Sequence, residues 1–413
     1  MPESSRPLSV GEQIAYYRGR LGLTQQDLAQ RVGRSRGWVQ NIEQGRRQID
    51  STSVILELAA ALGVEPNKLV SRPLFSPPKS ADMPRPREVL RDLRRVLLHY
   101  DGIHGADPAE DRPPRPAAEL ERQVQLAGEI RRTQANNISA VIWILPDLIQ
   151  GARHAARNAG EATAARRVAW QVLARSYSLA AALLWQYGDD ELGWVAADRS
   201  IHAAEQADDA LLVAAGARVM QQLLLAQGDM GSVIEMSESA GNLIVPGRDA
   251  PPEQLVIWGN LQLFGAFAAA RAKNGREHAR LRDLSEYAAE RLGEDRLYLG
   301  FNFGPGDVAL QHVGELVELE QPSKALRLAE QMPDDPLPQV DRRAFHRIHK
   351  ARAQYLRHRD QETADLLMDA WEIAPELVPF EPMTSEMIRA MLARARYRAN
   401  PSLRILGERM GFI

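Results

Sequence analysis

The apolar positions of this chain recur with helical period almost from end to end, and no segment alternates apolar and polar residues as a half-buried strand would. Between residues 10 and 70 the pattern predicts five short helices. Thr24, with Asp27 three residues later, predicts a capped helix start over 25–32. Gly33 breaks that helix, Ser35 caps the next, and Gly45 stops it. On this second helix Val39 and Ile42, three apart, face inward toward Leu28, Ala29 and Val32. Arg36, Gln40 and Gln44 form one outward ridge, and Gly37 with Asn41 the next. A proline-rich stretch across 72–86 cannot hold a helix and predicts a linker. Residues 87–100 predict a basic amphipathic helix, followed by a second Gly-, Pro- and Asp-rich break over 101–116.

From Ala117 onward the chain reads as helix–turn–helix pairs. Turns are predicted around residues 188, 228, 275, 320 and 358, at intervals of 40, 47, 45 and 38. Each follows a helix rich in Ala and Leu and precedes another. A hairpin of this size cannot bury its apolar face alone, so stacked copies are expected to form an α-solenoid, the alternative being an irregular helical bundle. The pattern resembles tetratricopeptide (TPR) repeats, although these are longer than the usual repeat of about 34 residues and lack most of its consensus positions.

Composition narrows the class. With 413 residues, 45% hydrophobic and 25% charged, the chain is a folded protein of two or three domains. It holds no cysteine, which excludes disulfides, thiolate metal sites and cysteine nucleophiles. The apolar runs stop short of the roughly 20 residues that cross a bilayer, and the first residues do not lead into the apolar core of a signal peptide. A cytoplasmic protein without a membrane partner is the expectation. The net charge of −3 is unevenly placed: residues 1–72 carry +3 and the remainder −6. Five arginines (31, 34, 36, 46 and 47) face Glu43 alone between residues 31 and 47, the pattern of a local polyanion site.

Two short helices around a glycine turn are the helix-turn-helix arrangement. The outward face of its second helix carries only guanidinium and amide groups, with no apolar residue. Paired hydrogen bonds let Arg read guanine, and Asn or Gln read adenine, in the major groove. Leu21 to Ala29, Ile42 to Arg47 and Leu56 to Val64 together resemble the Cro and phage-repressor (Xre) helix-turn-helix family over roughly 60 residues. That resemblance implies a phosphate contact for Gln25, base reading by Arg36, Gly37, Gln40 and Asn41, and a backbone grip by Arg46 and Arg47. It also implies an ion pair between Arg18 and Glu43 that braces the first helix against the recognition helix. The chain departs from the family at Gly37, which supplies no side chain to read with, and at Trp38, expected to pack on a thymine methyl and its sugar, the alternative being that it only shields Val39.

An Xre-like domain ahead of TPR-like helices resembles in layout a group of actinobacterial regulators and the peptide-responsive regulators of Gram-positive bacteria. Leu145-Pro146-Asp147-Leu148 and Phe301 to Val308 with His312 resemble segments of the actinobacterial group. Enzymatic readings find little support. His346 and His349 share a helical face, but no acid stands at matching spacing and Arg343, Arg347 and Lys350 would repel a cation, so they are expected on a solvated polar face without metal. Gly300, Gly304 and Gly306 lack the Gly-Lys-Ser/Thr of a phosphate loop. No cofactor is expected.

The reading is therefore an all-α chain: a five-helix Xre-type DNA-binding domain (1–72), a linker with a basic helix (73–116), and a TPR-like α-solenoid for sensing and dimerisation (117–413). The expected function is transcriptional regulation as a homodimer on an inverted-repeat duplex, tuned by a peptide, small-molecule or protein effector. The rival is an interaction scaffold or antitoxin-like protein with secondary DNA binding. First helices of solenoid hairpins line the concave surface, which nominates Arg218, Gln222, Trp258, Gln262 and His312 as effector contacts, the alternative being that they only pack the hairpins together. Asn302 and Phe303 join them at a Gly-Pro break.

Overall fold

In a computed structural model the chain is described over residues 9–413, apart from 48, 50–51, 65–68, 70–86, 101–102, 104–112, 134–140, 161–162, 187–188, 333–338 and 395–399. The predicted proline-rich linker, the fifth N-terminal helix and most of the 101–116 break lie outside the described residues. The N-terminal helices are α1 (Val10–Arg20), α2 (Gln25–Arg31), α3 (Arg36–Glu43) and α4 (Thr52–Leu62). Local chemistry sets their ends. Thr24 and Asp27 exchange bonds in a capping box at α2, and Ser9 and Glu12 do the same at α1. Ser35 accepts from the Trp38 amide at 3.2 Å to start α3. Gly33 and Gly45, with φ of 62° and 67°, make the two exits in the left-handed region. Ile14, Leu28, Ala29, Val39, Ile42, Ile55, Leu58 and Leu62 form the core between these helices, and Met383 from far along the chain belongs to the same cluster. Gly11 is where α1 meets α3: a Cβ there would lie 2.2 Å from the Ile42 carbonyl oxygen.

After the basic helix α5 (Arg87–Leu97) the described residues are almost all in successive helices. The hairpins are Ala164–Gln186 with Asp190–Gln206, Ala210–Gln227 with Met230–Leu243, Pro252–Arg271 with Gly275–Leu292, Pro305–Glu318 with Pro322–Gln331, and Val340–Leu356 with Asp360–Ile373. The turns predicted around 228, 275, 320 and 358 fall between successive helices, and the one predicted around 188 lies outside the described residues. Among the first three hairpins each helix packs on the next, and the leading helices also touch one another, so the hairpins stack. Asp189, Asp209, Asp229 and Asn274 accept from backbone amides and cap the following helices. The helix Ala210–Gln227 is long and apolar enough to cross a membrane, yet 56% of that stretch is buried inside the protein. It is a core helix of the stack.

Two sequence expectations need correcting. Residues 296–303 hold a β-hairpin: Arg296–Tyr298 pairs antiparallel with Phe301–Phe303 around Leu299 and Gly300, both at positive φ. Strands of three residues are too short for alternation to register. The fully buried Phe303 ring packs where a Cβ on Gly259 would lie only 2.2 Å away. Secondly, His346 and His349 are not on a solvated face. They are 1% and 7% exposed, because their helix is packed on more than one side, and the His349 ring lies over Gly314 and beside Phe345.

By its contacts the chain forms two units. One comprises Met1–Asp82, Val313–Gln331 and Ala344–Ile413; the other comprises Met83–His312 and Met332–Arg343.

Candidate nucleic-acid interface

Helix α3 is positioned by a polar brace beneath it. Arg18 on α1 donates from Nε to Glu43 Oε1 at 2.6 Å and from Nη2 to Oε2 at 3.0 Å, a two-point clamp. Its Nη1 donates to the Leu23 carbonyl at 2.7 Å, which ties in the approach to α2. Gln25, on the first residue of α2, donates to Glu43 Oε2 at 2.8 Å. One carboxylate, 6% exposed, thus gathers α1, α2 and α3. The bonds that Arg18 donates to Glu43 hold its guanidinium above its ordinary pKa. At the start of α2, hydrogen bonds from the Thr24 hydroxyl and amide keep the Asp27 carboxyl below its usual range.

With Val39 and Ile42 buried, the opposite side of α3 is presented outward. Arg36, Gly37, Asn41, Arg46 and Arg47 are exposed; Gln25, Trp38 and Gln40 are half-buried. Nothing lies within 4 Å of a Cβ placed on Gly37, so that point is open space. Trp38 is held between two guanidinium groups, Arg34 at 5.5 Å and Arg47 at 5.8 Å from its ring. Arg34, counted in the sequence only as one of five clustered arginines, is thereby placed beside the recognition helix. Its Nη2 stands 3.7 Å from Glu57 and 3.6 Å from Glu320. A cavity of about 300 Å³ opens beside this face, lined by Trp38, Asn41, Arg46 and Arg47 together with Glu320, Tyr355 and His358.

The residues nominated as effector contacts sit largely inside the other unit. Arg218 is 5% exposed and donates from Nε to Asn260 at 2.6 Å. Asn260 donates to the Asn302 carbonyl at 2.8 Å, and the Asn302 side chain accepts from Gln339 at 3.0 Å. Arg342 lies 3.1 Å from Asp307. Burial, then the nearby Arg342, holds Arg218 well below its ordinary pKa, with Asp307 opposing. Burial pushes Asp307 up to about 6, with Arg342 opposing. Trp258 and Phe303 lie in the apolar core, and Gln262 donates to the Ser237 carbonyl at 3.1 Å. Gln222 and His312 are half-buried. Arg218 and Asn302 thus share one buried polar chain, whose links Asn260 and Gln339 carry no mark in a single sequence. Among the described residues no group of His, Cys, Asp and Glu is arranged to hold a metal ion.

No curated protein and no solved structure matches the chain. A clamp that fixes α3 against α1 and α2, a glycine turn between the two helices and an outward polar face are the parts of a DNA-reading module. In agreement, residues 9–70 match the family model described as a helix-turn-helix domain, and the N-terminal part of this protein is a helix-turn-helix domain of the kind that DNA-binding regulators carry.

Proposed function

We propose that this protein is a sequence-specific transcriptional regulator of the Xre type that binds an inverted-repeat duplex as a homodimer. The observation that carries the reading is the braced α3, with Arg36, Gln40 and Asn41 on its outward face and Arg46 and Arg47 at its end. In this reading Arg36 and Asn41 meet base edges, while Gln25, Arg46 and Arg47 grip phosphates. One such domain covers a short half-site, so two domains about one helical turn apart supply working affinity. Residues 1–72 serve as the DNA-binding domain, 73–116 as the connector, and 117–413 as a TPR-like part that binds a peptide, small molecule or protein. The buried chain from Arg218 to Gln339 supports an effector role, because a polar interior can be re-paired when a polar molecule enters. An effector tunes DNA binding only by favouring one of two states of the protein.

Selection of bound sequences from a randomised duplex pool by the full chain tests this directly. An enriched inverted repeat, recovered also as footprints in the genome, is the expected result. Recovery of unenriched sequence would leave the scaffold reading in its place.

A further inference from the structure

Beside the face that would meet DNA lie two other parts of the same chain. Two hairpin turns of the same chain, one around Glu320 and one around His358, line the cavity shared with Trp38, Asn41, Arg46 and Arg47. These tips are equivalent: each is the turn of a helical hairpin, and each carries its non-glycine residue at φ 58°. The contact has a charged part and an apolar part. Glu320 stands 3.6 Å from Arg34, the guanidinium that stacks on Trp38. Met383, on the C-terminal helix Pro382–Leu392, is 1% exposed within the apolar cluster of the DNA-binding helices. Both belong to the same contact unit as residues 1–82.

We infer that this protein masks its own DNA-reading face: the Glu320 and His358 turns and DNA compete for one surface. The inference rests on the DNA-binding reading of α3. A volume of about 300 Å³ holds on the order of ten waters. A duplex whose backbone reaches Arg46 and Arg47 while a base edge meets Asn41 needs far more room, in the space that the two turns fill. Glu320 puts a carboxylate close to Arg34, in the basic cluster that a phosphate would approach. The masked state therefore satisfies part of the charge that DNA would satisfy, and binding must displace it. Apparent affinity is then the intrinsic affinity scaled by the fraction of molecules with the turns withdrawn. Anything that withdraws them raises DNA affinity without touching α3.

The test uses full-length protein and a mixed-sequence duplex at low salt, since phosphate contacts suffice to report access. Glu320→Gln weakens the mask, and Glu330→Gln, an exposed site on the neighbouring helix, controls for net charge. Glu320→Gln should bind about threefold or more tighter than both the parent and the control. Equal affinities for all three would overturn the inference. A second variant guards against an effect on folding. The chain has no native cysteine, so Ile49→Cys with Leu356→Cys, two lining residues of the cavity, can be joined by a short bismaleimide. The joined protein should lose binding, while the same double variant capped with a monofunctional maleimide should keep it. Binding that survives the cross-link sinks the mask. If neither the parent nor any variant binds duplex at all, the DNA-binding reading itself has failed.

Discussion

Gly11 and Gly37 look alike in the sequence and have opposite roles in the fold. A side chain at Gly11 would run into the Ile42 carbonyl, whereas Gly37 faces open space inside a helix. Gly11→Ala should therefore push α1 off α3 and cost about 1–3 kcal/mol. Gly37→Ala should stabilise α3 by about 0.5–1 kcal/mol, because alanine orders a helix better than glycine. Thermal or urea unfolding of the two variants reads both signs; two losses of equal size would contradict the packing at Gly37. Side-chain chemistry makes the second prediction. Arg36→Ala and Asn41→Ala should each lose about 1–3 kcal/mol of discrimination at one base pair. Arg46→Ala should weaken all sequences alike and flatten the salt dependence by about one phosphate contact. Titrations against single-base variants of a selected site, at several salt concentrations, separate the two behaviours. Asn41→Ala with unchanged preference at every base would remove it from the reading set.

Among the elements, helix ends were the most legible. Thr24, Ser35, Gly33 and Gly45 act within a few residues of their own position, so the boundaries of α2 and α3 follow from local chemistry. The hairpin turns at 228, 275, 320 and 358 were legible for the same reason. The β-hairpin at 296–303 was not, because its strands are three residues long and are held by Phe303 seating against Gly259. Just beyond it, Asp307 lies in the first turn of the next helix at 1% exposure, with its pKa raised to about 6. The sign follows from linkage: a carboxyl whose folded pKa exceeds its unfolded value of 3.8 favours folding in its protonated form. Its contribution is fully present below 3.8 and is lost as pH rises through about 6. Asp307→Asn lacks that loss, so the stability difference between variant and parent should move in the variant's favour from pH 5 to pH 7. Melting curves across that window check it, and a constant difference would show that Asp307 does not titrate there.

For the whole molecule, assembly is the testable property. Most large apolar side chains of the DNA-binding helices are committed to their own core and to Met383, with Tyr16 and Leu21 left exposed at α1. The proposed homodimer is expected to form through residues 117–413 or through α5. Light scattering should find the full chain dimeric and residues 1–72 monomeric, with far weaker affinity for an inverted repeat. A full-length monomer on an asymmetric site would contradict this.

Periodicity, capping residues and the clustering of five arginines were enough to place the helices, the glycine turn and the outward polar face of α3, because each depends on neighbours within about a turn of helix. Contacts across hundreds of residues follow no such rule. Nothing near Glu43 in the chain announces that it would gather Arg18 and Gln25, although family resemblance pointed to the first of these. His346 and His349 read as a polar face because their neighbours are charged, yet the packing around their helix buries both. Glu320 and His358 look like ordinary turn residues, and their place beside Trp38 and Asn41 comes from the return of the C-terminal helices to the first domain. Local sequence carries the energetics of a helix and its ends; which surfaces meet depends on the summed burial of many weak contacts, and no short window of residues contains that sum.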